Sequence, residues 1–171
     1  MAAFFVNGIF STFASLNLFD MARAIRIVVH CTATRAGDRL SREALRHLFF
    51  EVNGWKHWGY HAVVHANGSW EVLQPLPEAT SNGAMINNNT TANGAAGYNR
   101  DSLHIAYVGG LDRATGKPAD TRTAEQKKTL WAVIACWKRD YKITEVVGHR
   151  DLPGVHKACP CFDAKSTYRN A

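Results

Sequence analysis

The chain has 171 residues, a formal net charge of +6 at pH 7, and 46% hydrophobic against 20% charged residues. That length suits one domain able to bury close to 70% of its unfolded surface, and the composition excludes disordered, collagenous and disulfide-stapled classes. The basic balance favours an anionic partner such as nucleic acid, anionic lipid or bacterial wall polymer, without choosing among them.

Residues 1–22 read as an N-terminal extension, expected to be poorly ordered, ahead of a single domain over 23–171. The opening MAAFFVNGIFSTFASLNLFD is apolar but has no basic n-region, and Asn7, Gly8, Ser11 and Thr12 interrupt it, so a signal peptide is not expected. No apolar run reaches the ~20 residues that span a bilayer. Ile25 to Cys31 (IRIVVHC) is a β-branched run suited to a strand buried on both faces. Ser41 caps a helix to about Asn53, with Leu45, Leu48, Phe49 and Val52 at helical spacing and Asn53-Gly54 as its stop. YHAVVHA and WEVLQPL read as a hairpin across Asn67-Gly68.

Residues 77–101 are polar and read as a long loop of the kind that either lines a site or is mobile. SLHIAYVG, residues 102–109, is another strand. Thr123 and Gln126 form a capping-box pair opening a helix to about Tyr141, with Leu130, Val133, Ile134 and Trp137 inward. Ile143 to Val147 returns as a strand, and a short helix closes the chain around 164–169. The whole predicts an α/β layer system with a central sheet. Cys136 is expected in the core of its helix. Four unevenly spaced cysteines make no disulfide framework and suggest a reducing compartment, while Cys159-Pro-Cys161 is half a zinc knuckle with no second pair.

His30 and His149 each close a buried strand where turn residues begin, the edge on which α/β proteins assemble their sites. Cys159 returns ten residues after His149 through a Pro/Gly loop. Two imidazoles and a thiolate would make a three-ligand zinc centre with one open position, the catalytic pattern. Spacing alone leaves that reading and two unrelated buried imidazoles equally open. Lys157 is either a solvated lysine or a cation held at such a centre for an oxyanion. Tyr60 is either a packing aromatic or a phenol at the same edge. His47 and His57 read as solvated, His65 and His104 as partly buried imidazoles with ordinary partners, and His156 as facing solvent or substrate.

VVHCTAT, GYHAVVHANG, AAGYNRDSLHIAYVGG and GHRDLPGVHKACPCFD together resemble the zinc-dependent N-acetylmuramoyl-L-alanine amidases. That type-2 family includes the small phage lysozyme-type enzymes and the peptidoglycan recognition proteins. The likeness runs from about Ile25 to Asp163, and KACP…FD with YNRDS–GG points to the phage-type branch. It implies a central mixed β-sheet flanked by helices, zinc on His30, His149 and Cys159, and Tyr60 and Lys157 as catalytic side chains. The implied reaction is hydrolysis of the amide between the lactyl group of N-acetylmuramic acid and L-alanine of the stem peptide, with bacterial peptidoglycan as partner. A monomeric phage or prophage endolysin, made in the cytoplasm and released at lysis, is the expected setting.

Departures are visible too. Recycling relatives carry a glutamate where this chain has Ala106. A histidine of the phage-type pattern is replaced within Asn93-Gly94-Ala95-Ala96, and the loop 81–91 is long. A non-catalytic wall-binding module is the rival reading. A nucleic-acid or polymerase-binding regulator is disfavoured, because the basic residues form no aromatic-interleaved stripe.

Overall fold

The structure, a computed structural model, describes residues 21–171. The elements in chain order are β1 (Ala22–Arg23), β2 (Arg26–Cys31), β3 (Thr34–Arg35), α1 (Arg42–Arg46), β4 (Ala62–Val64), β5 (Trp70–Val72), β6 (Ala79–Thr80), β7 (Gly83–Ile86), β8 (Ser102–Tyr107), β9 (Gly110–Leu111), α2 (Ala124–Tyr141), β10 (Glu145–Gly148) and α3 (Ala164–Thr167). The β-branched runs form the centre, a five-stranded sheet in the order β10-β2-β8-β4-β5. β10, β2, β8 and β4 run parallel, and β5 turns back antiparallel as the second arm of the expected hairpin.

Strand alternation sorts the side chains. On one face Ile27, Val29, Leu103, Ile105, Ala62 and Val64 meet Leu130, Val133, Ile134 and Trp137 of α2. Each fully buried Val, Leu or Ile there contributes about 1.5–3 kcal/mol by leaving water. The start of α2 is fixed by its capping box: the Gln126 N–H donates to Thr123 Oγ1 at 3.0 Å and the Thr123 N–H to Gln126 Oε1 at 3.0 Å. The buried Gln126 amide also donates to the carbonyls of Val64 and Val108 at 3.1 and 2.9 Å, tying the helix to β4 and to the chain just beyond β8. On the opposite face Leu45 and Phe49 pack on Val63, Leu73 and Val108.

Three expectations are revised, those for the first helix, the polar stretch and Cys136. The first helix is α-helical only to Arg46 and continues as a π-type turn over His47–Val52. That turn keeps Phe49 inside and leaves Leu48 and Val52 exposed, so the helical spacing overstated the buried face. The polar stretch 77–101 is not a plain loop. Residues 79–86 of it fold as the β6–β7 hairpin, β7 pairs with β1 in the register Ala22↔Ile86 and Arg23↔Met85, and a 3-10 turn over Asn99–Asp101 ends the stretch. The extension expected over 1–22 lies outside the described residues as far as residue 20, and its last two residues are in that strand β1 or directly before it. Cys136 is half-exposed beside the buried stripe of α2, its thiol donating to Asp140 Oδ2 at 3.1 Å. Among the described residues no helix is long and apolar enough to cross a membrane.

Candidate metal centre and active site

The parallel register brings the two histidines together. β10 lies beside β2 with Gly148 opposite Val29, so the next residue, His149, falls beside His30. Their ring centroids are 4.7 Å apart. After β10 the chain makes a 3-10 turn over His149–Asp151, closed by the Gly148 N–H donating to Asp151 Oδ2 at 2.8 Å. The following loop is drawn back by two bonds, the Arg150 N–H to the Cys159 carbonyl and the buried Tyr107 hydroxyl to the Pro160 carbonyl, both 2.8 Å. Gly148 permits this approach, since a Cβ there would stand 2.5 Å from Pro160 Cδ. Cys159 Sγ thereby reaches 3.8 Å from His30 Nδ1.

One donor atom from each of His30, His149 and Cys159 lies within 4.8 Å of the others. Zinc bonds of 2.0–2.3 Å in a tetrahedron place donors roughly 3.3–3.6 Å apart, so small adjustments would close the set on one ion. Protonation states agree with that chemistry. Burial, then the charges of His149 and Lys157, hold His30 well below the usual histidine range, and burial followed by Lys157 lowers His149. Hydrogen bonding from Cys31, whose backbone N–H reaches Cys159 Sγ at 3.3 Å, and the nearby Lys157 lower the Cys159 thiol despite its burial. Neutral imidazoles and a thiolate are the forms that bind a metal.

Tyr60 and Lys157 line the same cleft of about 220 Å³, together with Trp55, Gly94 and the three donors. The Tyr60 ring is wedged between Phe49, 5.4 Å away edge-on, and His30 at 5.2 Å. Burial, with the neighbouring cysteines, pushes its phenol well up, so it stays protonated at neutral pH. Lys157 is exposed at the mouth, where the cleft opens into a groove of about 600 Å³ lined also by Asn93, Asn99 and His156.

The sequence profile of the N-acetylmuramoyl-L-alanine amidases matches residues 21–162. The chain belongs to that amidase family. It is 30% identical over 140 residues to the endolysin of Klebsiella phage KP32, covering 82% of each chain. Among solved structures it resembles the Ph2119 endolysin of the Thermus scotoductus MAT2119 bacteriophage, with a TM-score of 0.63, 24% identity, and 86% of this chain and 83% of that one covered. The Apis mellifera peptidoglycan recognition protein PGRP-SA superposes with a TM-score of 0.64 at 15% identity, over 86% of this chain and 82% of that one. The expected mixed sheet with flanking helices is thus the fold of type-2 amidases.

Within this amidase the departures noted in the sequence have definite places. Ala106, the position singled out in the sequence, sits in register beside His30 and places only a methyl group there. His47 and His65 pair with Glu51 and Glu71, away from the ligand cluster. His104 is not the ordinary partly buried imidazole expected of it: it is fully buried, and its Nδ1 lies 3.0 Å from His30 Nε2. His61, also buried, accepts the His104 backbone N–H at Nδ1 and donates from Nε2 to the Thr90 carbonyl. Alternation placed both residues on strands, but a period of two carries no signal for which neighbour an imidazole meets across the sheet.

Proposed function

We propose that the amidase activity is carried by zinc held on His30, His149 and Cys159, with Tyr60 and Lys157 as the catalytic side chains. The observation that supports this most directly is the convergence of three soft and borderline donors from β2, the turn after β10 and the returning loop, in the cleft that Tyr60 and Lys157 also line. When bound, zinc supplies Lewis acidity that acidifies water and polarises a carbonyl. His30 and His149, kept neutral by burial, and the thiolate-leaning Cys159 are the residues that would hold it. Tyr60 enters as a neutral phenol and orients the attacking water by hydrogen bonding. Lys157 places its ammonium at the cleft mouth, where it stabilises the oxyanion of the tetrahedral intermediate.

The substrate on this reading is peptidoglycan, and hydrolysis consumes one water to give the lactyl carboxylate and the free amine of L-alanine. The relatives named endolysin support a phage lytic setting, with production in the cytoplasm and release at lysis. The charge of +6 assists adhesion of a monomer to the anionic wall. The test is amine release from purified peptidoglycan, followed alongside zinc content, for the parent and Cys159→Ser. Amine release and zinc lost together in the variant is the expected result. Wall binding by the parent without amine release would instead favour a binding module.

A further inference from the structure

Strand β8 carries a buried imidazole that the reaction as described does not use. His104 is fully buried, and its Nδ1 sits 3.0 Å from Nε2 of His30, the nitrogen on the far side of the ring from Cys159. Among the described residues, His104 Nε2 has no hydrogen-bond partner. An apolar side chain at this position would avoid that cost, as its neighbours Leu103 and Ile105 do. The fold also makes room for the ring. A Cβ on Gly94 would stand 2.4 Å from His104 Nδ1 and 2.6 Å from its Cγ, so the loop passes there only because residue 94 has no side chain.

We propose that His104 is a positioning residue for the metal centre, accepting the Nε2–H of His30 and so fixing the tautomer that offers Nδ1 to the metal. The inference rests on the reading of His30 as a ligand. The logic is one of proton placement. His30 faces Cys159 through Nδ1, so Nδ1 must be bare to bind, and a neutral imidazole then carries its proton on Nε2. That N–H is buried and needs an acceptor, and His104 Nδ1 is the atom within reach. A ligating histidine whose second nitrogen is held in this way keeps its ring orientation and its basicity, and loss of such a partner typically costs 10- to 100-fold in metal affinity. The bare Nδ1 puts the proton of His104 on Nε2, the atom left without a partner.

The test measures zinc affinity by chelator competition for the parent, His104→Leu and His104→Asn, with ¹⁵N spectra of the zinc-loaded parent. Leucine fills the space without an acceptor and is expected to weaken zinc binding about 10- to 100-fold. Asparagine places its Oδ1 near the position of Nδ1 and is expected to restore most of that loss. In the spectra the shared proton is expected on His30 Nε2, with a scalar coupling across the bond to His104 Nδ1. Zinc binding as tight in His104→Leu as in the parent overturns the inference. Should His104→Leu fail to fold, a missing coupling, or an asparagine variant as weak as a full loss of the acceptor, does the same. A parent that binds no zinc at all refutes the ligand set itself, which separates the two failures.

Discussion

Replacing Cys159 by serine tests the proposed ligand set through stability as well as activity. In the metal-free protein the change is mild. Cys159 is half-buried, and the serine oxygen can accept the Cys31 N–H that now reaches Sγ at 3.3 Å, so about 1 kcal/mol or less is lost. In the presence of zinc the difference is large. A metal that binds the folded chain alone stabilises it by RT ln(1 + [L]/Kd), about 4 kcal/mol at free zinc a thousandfold above Kd. For a chain of this size each kcal/mol moves Tm by about 2–4 °C, so the parent should melt about 8–16 °C higher with zinc than with chelator. Serine does not ionise near neutral pH and supplies no anionic ligand in place of the sulfur lying 3.8 Å from His30 Nδ1. The variant should therefore lose most of the zinc-dependent shift while melting close to the parent in chelator. The assay is a pair of thermal scans per protein. An equal zinc shift in parent and variant would refute the role of Cys159.

Lys157→Ala removes an exposed cation and none of the three candidate donors, so zinc should still be bound while kcat falls about 10²- to 10³-fold, as for loss of an oxyanion donor; metal analysis beside wall hydrolysis checks both halves. Tyr60→Phe keeps the ring contacts with Phe49 and His30, so the melt and zinc affinity should hold while turnover drops about 10²-fold, and a variant as active as the parent would remove the phenol from the mechanism. His61 makes the metal-free fold acid-sensitive. Burial lowers its pKa from 6.5 to about 4, so below 6.5 the unfolded chain binds the proton that the folded one refuses. Its contribution is intact above pH 6.5 and falls by about 3 kcal/mol on the way to pH 4, with a slope of about 1.4 kcal/mol per pH unit. Urea midpoints of the chelator-treated protein across that window should show the decline, and His61→Leu should remove about one proton's worth of the slope; an unchanged slope would mean that His61 is not the residue responsible.

What could be read from the sequence divides along the range of the interactions. Strand β2 announced itself because burial on both faces demands a near-continuous β-branched run, β8 and β10 as shorter stretches of strand length, and α2 because Thr123 and Gln126 cap it within a single turn. His30 and His149 could be singled out because each ends such a strand, and parallel pairing carries those ends to one edge of the sheet. The β6–β7 hairpin escaped notice because its strands are two and four residues long, and what stabilises β7 is β1, some sixty residues earlier in the chain. The π-type turn at His47–Val52 spans only six residues, too few for hydrophobic periodicity to separate it from a straight helix.

His104 marks the sharpest boundary between the two kinds of information. In sequence it differs in no respect from His65, another imidazole alternating along a strand, yet one pairs with Glu71 at the protein surface and the other backs onto His30 in the interior. The difference is made by a third residue, Gly94, whose missing side chain opens the space that the His104 ring fills. No pairwise spacing encodes that arrangement: it needs the loop from 93 to 96, strand β8 and strand β2 in register at once. Candidate ligands at strand ends are therefore legible from local pattern, whereas a group proposed to hold such a ligand in the right protonation state emerges only when the layers are assembled.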